Sequence, residues 1–137
     1  MTSKRIFVDT SFFKAISDKK DDFHDFSIKT LKRIKSEGYE LVTTNYILDE
    51  TYTLVRTRCG YEDVIDFHDG LFSGMLFLQI IRVGVDDEIK AWKFFLEKWS
   101  RLSFTDCTSF AVMKRLGLTE VATFDSHFSR AGFKIVG

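Results

Sequence analysis

Proline is absent from this 137-residue chain, cysteine occurs only twice, and no charge of either sign is in excess. Cys59 and Cys107 are too few for a disulfide scaffold, and neither sits in a CxxC or Cys/His spacing that would hold zinc. Long hydrophobic runs are missing too. The longest, Met75 to Val85, is broken by Gln79, Arg82 and Gly84, which excludes a membrane span. Twenty Lys and Arg balance twenty Asp and Glu, so a nucleic-acid partner would have to be held by local patches rather than by bulk attraction. The N-terminus reaches Ile6-Phe7-Val8 at once, leaving no room for a signal peptide, and the cytoplasm is the expected location. Neither GxxxxGK[ST] nor GxSxG occurs, which removes a phosphate-cradling loop and a nucleophilic serine elbow. Nothing in the sequence accounts for the lack of proline.

What is present is a domain-sized chain with 45% hydrophobic and 29% charged residues and fifteen phenylalanines. Such a chain forms a single folded unit with an aromatic core, without help from disulfides or a structural metal. Ile6-Phe7-Val8, Glu40-Leu41-Val42-Thr43, Leu76 to Val83 and Val121-Ala122-Thr123-Phe124 are short apolar runs suited to buried strands, and Phe133 to Val136 adds a fifth. Between them lie helical patterns. One opens at Thr10. Another carries Phe23, Phe26, Leu31 and Ile34 and stops at Gly38; a third is capped by Thr44 or Asn45 and ends before Gly60. Further helices cover Glu62 to Phe72 and Phe104 to Leu116, and Ile89, Trp92, Leu96 and Trp99 mark the expected buried stripe of one more. Strands alternating with helices predict an α/β fold, a mostly parallel sheet of four to five strands covered on both sides. Folds of this kind place their chemistry outside the carboxyl ends of the strands.

Four acids fall at such places. Asp9 ends the first strand and Asp125 follows the fourth; Glu50 and Asp106 lie in the first turns of helices. Each alone reads as a helix cap or a helix-dipole partner, Asp106 pairing with Ser103 in a weak capping box. Together they would converge on one edge, where their mutual repulsion raises their pKa values unless a cation neutralises them. Oxygen ligands favour Mg²⁺ or Mn²⁺, and phosphodiester hydrolysis is the reaction such a site serves best.

Phe-Val-Asp9-Thr-Ser-Phe, Ile-Leu-Asp-Glu50-Thr, Ser-Phe-Thr-Asp106-Cys-Thr-Ser-Phe-Ala-Val-Met and Ala-Thr-Phe-Asp125-Ser-His-Phe, in that order and spacing, resemble the PIN domain. The likeness extends over the whole chain and is strongest to the small ribonuclease toxins of the VapC type. It implies one three-layer α/β/α domain over residues 1–137 with the activity of an Mg²⁺- or Mn²⁺-dependent endoribonuclease. It also implies an acidic quartet at Asp9, Glu50, Asp106 and Asp125, serving both catalysis and metal binding. Ser11 and Thr108 are the matching polar positions, and the resemblance further implies a homodimer paired with an antitoxin. A non-catalytic domain of the same fold, or a housekeeping RNA-processing nuclease without an antitoxin, are the alternatives.

Other residues point more weakly. Arg56 lies on the Glu50 helix, placed to meet a substrate or a carboxylate. His24, His68 and His127 are too scattered for a metal triad, but His127 follows Asp125 by two residues and could touch phosphate. Lys29, Lys32 and Arg33 form a solvated face or an RNA-contact patch. Phe67, Phe72 and Phe77, around Leu71 and Met75, supply more apolar surface than one small core needs, and so suggest a dimer interface.

Overall fold

The computed structural model describes residues 4–73 and 78–136. Five parallel strands form one sheet: β1 (Arg5–Val8), β2 (Glu40–Thr44), β3 (Leu78–Ile81), β4 (Glu120–Ala122) and β5 (Lys134–Ile135), in the order β3-β2-β1-β4-β5. Among the described residues, seven helices connect them: α1 (Thr10–Ser17), α2 (His24–Ser36), α3 (Asn45–Cys59), α4 (Tyr61–Ser73), α5 (Val85–Phe95), α6 (Phe104–Leu116) and α7 (His127–Arg130). The helices pack as two groups, α1 to α4 and α5 to α7, giving the three-layer α/β/α arrangement. No helix among the described residues is long and apolar enough to cross a membrane.

The central strands are buried on both faces, as their uninterrupted apolar runs require: Ile6, Phe7, Val8, Val42 and Val121 are essentially inaccessible. Register pairs Phe7 with both Val42 and Val121. The chain builds outward from β1 to β3 and then returns to add β4 on the other side of β1. Strand order therefore reverses between β1 and β4, the place where a crevice opens at the carboxyl ends. Asp9 extends that pairing by one bond, its N–H donating to the Ala122 carbonyl at 3.1 Å. At the far end of α6, Gly117 takes a left-handed conformation (φ 69°), and the Leu118 amide bonds back to the Met113 carbonyl at 2.8 Å. That reversal turns the chain into β4.

Most expected elements stand within a few residues of their predicted bounds. Thr44, rather than Asn45, caps α3, accepting from the Ile47 amide at 3.1 Å, while the Asn45 side chain accepts from Val83. Of the expected third strand, Leu78–Ile81 is observed, and Leu76 and Phe77 lie outside the described residues.

The expected buried stripe of α5 is corrected. Ile89, Trp92 and Leu96 are exposed, and Trp99 lies beyond the helix end. The face that α5 buries carries Asp87 and Ala91 instead. Ala91 allows close approach to α6, and Asp87 is matched there by Arg115, whose Nε and Nη2 donate to its two oxygens at 2.8 and 3.0 Å. A hydrophobicity pattern cannot anticipate a helix that turns a carboxylate inward toward a partner. On α2, Ile34 is buried as expected, whereas Phe23 and Phe26 remain half in solvent. Of the suggested interface cluster, Phe67 packs edge-on against Phe13 and Tyr52, Leu71 is buried and Phe72 is exposed; Met75 and Phe77 lie outside the described residues.

Candidate active site

Asp9 stands at the end of β1, in the N-cap position of α1, yet its side chain caps nothing. Its Oδ2 accepts instead from the Ser11 hydroxyl at 3.0 Å and the Thr123 hydroxyl at 2.8 Å. Each hydroxyl has one proton and gives it to Asp9, so their 3.1 Å approach to each other follows from the shared acceptor. Both hydroxyl oxygens also accept backbone protons. Phe124 N–H donates to Ser11 at 2.9 Å, and Asp125 N–H donates to Thr123 at 3.0 Å. This relay fastens the segment after β4 to the carboxylate that ends β1, and both side-chain donors go to one oxygen of Asp9. Thr123 was not singled out from sequence. The only available signal was a hydroxyl two residues before Asp125, at a strand end.

Asp106 sits in the first turn of α6. Its carboxylate accepts from the Ser103 N–H at 3.3 Å, while its own N–H donates to the Ser103 hydroxyl at 3.0 Å, completing a capping box. The cap and site readings of this residue therefore hold together. Asp125 Oδ1 accepts from the His127 N–H at 2.9 Å, fixing the turn into α7.

His127 joins this group closely. Its Nε2 lies 2.8 Å from the Ser100 carbonyl, which can only accept, so Nε2 carries the proton. Nδ1 then points toward carboxylates: 3.0 Å from Asp125 and 3.6 Å from Asp106, buried, and without an aligned hydrogen bond to either. The ring stacks on Trp99 at 6.1 Å, and Trp99 in turn lies under the Arg130 guanidinium at 5.0 Å. Arg101, one residue past Ser100, adopts a left-handed φ of 61°, uncommon for a side-chain-bearing residue.

The electrostatics follow from burial without a counter-ion. Among the described residues, no Lys or Arg pairs with Asp9, Asp106 or Asp125. Desolvation pushes Asp9 up to about 6, against the hydrogen bonds from Thr123 and Ser11, and Asp125 adds to the rise. Asp106 is pushed up to about 7, first by desolvation and then by the charges of Asp9 and Asp125. Three carboxylates thus share one small region.

Oxygen or nitrogen atoms of Asp106, Asp125 and His127 lie within 4.8 Å of one another. Ligands at roughly 2.0–2.6 Å from a hard divalent ion span such distances, and the unpartnered Nδ1 supplies a free donor. The donor set therefore fits a divalent cation.

The remaining expected site residues are placed as follows. Ser11 lies in the Asp9 network. Glu50 is half-buried on α3 and makes no hydrogen bond or ion pair among the described residues. Thr108 is fully buried inside α6, its hydroxyl spent on the Thr105 carbonyl at 2.7 Å. Arg56 is exposed on α3, its guanidinium 5.6 Å above the Tyr61 ring.

The structure thus combines a parallel sheet with three acids gathered at its reversal point. The chain belongs to the PIN domain family, whose pattern matches residues 6–134. It is 37% identical over 130 residues to the 23S rRNA-specific endonuclease VapC20 of Mycobacterium tuberculosis, covering 93% of this chain and 95% of that protein. The crystal structure of that protein, described as a Sarcin-Ricin loop cleaving toxin, superposes with a TM-score of 0.79 over the same shares of both chains, at 35% identity. FitAcB from Neisseria gonorrhoeae (TM-score 0.69, 15% identity, 96% of each chain) shares the fold. So does VapBC2 from Rickettsia felis bound to a promoter DNA fragment (TM-score 0.71, 14% identity, 96% and 97% of the chains).

Proposed function

We propose that this chain is a divalent-metal-dependent endoribonuclease, the toxin of a toxin–antitoxin pair, acting in the cytoplasm on structured RNA. One observation carries the reading: two buried aspartates, held above the usual carboxylate range, face a third acid with no Lys or Arg among the described residues to balance them, the His127 ring lying beside Asp125 and Asp106. Such an arrangement costs stability in an idle protein and is what a cation-dependent site needs. The identity to a 23S rRNA-specific endonuclease names the substrate class.

Asp106, Asp125 and His127 would hold the ion, with Asp9 facing them. An imidazole among carboxylates moves the preference from Mg²⁺ toward Mn²⁺. The ion would supply Lewis-acid charge for water attack at phosphorus and for the departing oxygen. The chain's own contribution is positional. Ser11 and Thr123 fix the Asp9 carboxylate, the Ser100 carbonyl sets the tautomer of His127, and Ser103 orients Asp106. Asp106 retains a proton up to about neutrality, so ion binding would release it. Glu50, with no hydrogen bond or ion pair among the described residues, would act through the outer sphere. Ser11 acts through Asp9, while Thr108 and Arg56 would contribute to packing and to the exposed α3–α4 surface.

Incubating the purified chain with ribosomal RNA in Mn²⁺, in Mg²⁺ and in EDTA tests this. Discrete cuts with either metal and none with chelator are expected. Intact RNA under all three conditions would overturn the reading.

The same proposal includes a homodimer through α5. Val85, Ile89, Trp92 and Leu96 are exposed at spacings of four, three and four, a pattern symmetric about its own centre. Turned antiparallel on a second copy, Val85 would meet Leu96 and Ile89 would meet Trp92, with Asp86 near Lys93 on the flank. Such self-complementarity is what a two-fold contact requires. Light scattering should give twice the chain mass, falling to one chain for Trp92→Glu; a wild-type monomer at micromolar concentration would refute the contact.

A further inference from the structure

Phe124 stands between Thr123 and Asp125, inside the segment that the Asp9 network fastens down. Its ring is stacked on buried Phe12 (5.9 Å between centroids, 15° between planes) and on Phe23 (4.4 Å, 8°), and it meets Phe26 edge-on at 6.0 Å. The set runs from the core to solvent. Phe12 is buried, but Phe23 is 50% exposed and Phe26 is 45% exposed. Phe124 adjoins Asp125 in sequence, and the two rings that pack on it, Phe23 and Phe26, are left half in water by the surrounding helices.

We propose that Phe23 and Phe26, braced by Phe124, form a platform on which an unpaired nucleobase of the bound RNA stacks. The proposal rests on the ribonuclease reading and deepens it by naming how a base beside the cut is held. Three features favour a base over an apolar protein segment. The platform is continuous through Phe124 with the residue that would contact the ion. The Phe12, Phe124 and Phe23 rings are stacked, with Phe26 edge-on beside them, so the Phe23 end of the ladder offers the surface to which any base adds, whatever its sequence. And α2, which carries Phe26, bears four cations, Lys29, Lys32, Arg33 and Lys35, against a single acid, Asp25. Arg33 and Lys29 fall at seven and three residues from Phe26, on its side of the helix. All four are exposed and make no ion pair among the described residues; of the acids beside the platform, Asp21 is paired with Lys14 at 2.9 Å, while Asp22 and Asp25 are exposed. Aromatic rings beside unpaired cations suit a single-stranded polyanion.

The test measures binding of a fluorescein-labelled, mixed-sequence, single-stranded RNA decamer in Mg²⁺, by stopped-flow anisotropy before turnover. Phe23→Ala should weaken binding by about 5- to 150-fold, the range for loss of one stacked base. Phe23→Trp should restore it. The salt dependence should stay unchanged in both, while Lys29→Ala or Arg33→Ala should reduce the slope by about one. In the wild type, removing the base at a single decamer position should cost as much as Phe23→Ala; combined with that variant it should cost nothing more. Wild-type binding with an unchanged Phe23→Ala affinity would overturn the platform and leave the nuclease reading standing. Uncut ribosomal RNA together with no wild-type decamer binding would overturn the nuclease reading and the platform with it, whereas cut ribosomal RNA without decamer binding would overturn the platform alone. If Phe23→Ala lost a co-purifying protein while binding RNA normally, the patch would belong to that protein and the base platform would be refuted.

Discussion

Asp87 and Asp106 occupy the same local position in two neighbouring helices. Each is the third residue of its helix, each is buried, and each reaches back to the backbone N–H three residues before it, Gly84 at 3.0 Å and Ser103 at 3.3 Å. Their surroundings differ in one respect. Asp87 meets the Arg115 guanidinium through two hydrogen bonds, which hold its carboxyl below the usual range. Asp106 meets Asp9 and Asp125, and with burial these push it up to about 7. The helix motif places an acid inward in both cases; only the tertiary partner decides whether that acid is charge-balanced or sits among like charges.

The sharpest way to break this contrast is to neutralise each acid in turn. Asp106→Asn or Asp9→Asn should lower cleavage by more than the roughly 10–100-fold that loss of an outer-shell partner costs. Neither should lower metal-free thermal stability at pH 7.5, because the amide keeps the shape and removes a repelled charge. Asp87→Asn should do the opposite, unfolding earlier while cleaving RNA at the wild-type rate per folded molecule. Activity retained in Asp106→Asn would place the chemistry elsewhere.

Stability should also respond oppositely to pH around the two acids. Asp9 and Asp106 titrate higher in the folded chain than the ordinary 3.8, so their contribution favours folding fully below about pH 4 and is lost as pH rises through about 6 and 7. Metal-free protein should lose on the order of 3 kcal/mol for either group alone between pH 4 and pH 8. Mn²⁺ should return that stability at pH 8 and add little at pH 5. The lowered Asp87 behaves conversely: its contribution is present above about pH 4 and disappears in acid. Urea denaturation from about pH 2 to pH 8, with and without Mn²⁺, reads both, and a flat metal-free profile above pH 4 would remove the repulsion argument.

Arg115→Ala then isolates the paired acid. It should destabilise by about 1–3 kcal/mol, less than the roughly 3–5 kcal/mol for a fully buried pair, because two-fifths of the Arg115 side chain reaches water. Cleavage should persist, and a larger loss of activity than of stability would link α5 to the site.

The strands, the order of layers and the nearness of Asp9, Asp106 and Asp125 were legible because local patterns carried them. Ile6 to Val8 and Val121-Ala122 read as doubly buried strands, and Asp9 and Asp125 followed their ends. What stayed hidden depended on contacts between distant segments. Thr123 reaches Asp9 across 114 positions, and His127 acquires its role from the Ser100 carbonyl and the Trp99 ring. The α5 stripe misled for the same reason: apolar spacing marks a face without saying whether a helix of this chain covers it. Thr108 matched a family position, but helix α6 turned it inward and spent its hydroxyl.

Glu50 gives the smallest and most discriminating effect. The resemblance implies it as the fourth member of the acidic set, yet it is half-buried and has no hydrogen bond or ion pair among the described residues, while Asp9 and Asp125 both act on Asp106. An acid that ligates directly should, when made Gln, abolish metal binding. One that acts through water should lower kcat by about 10–100-fold and leave the metal affinity nearly intact. Glu50→Gln is therefore expected to retain Mn²⁺ binding by calorimetry, while His127→Ala, which removes the free Nδ1, weakens it more. Equal losses from Glu50→Gln and Asp106→Asn would mean that the helix α3 acid moves into the inner set once the ion binds, and that the three-acid grouping describes only the empty site.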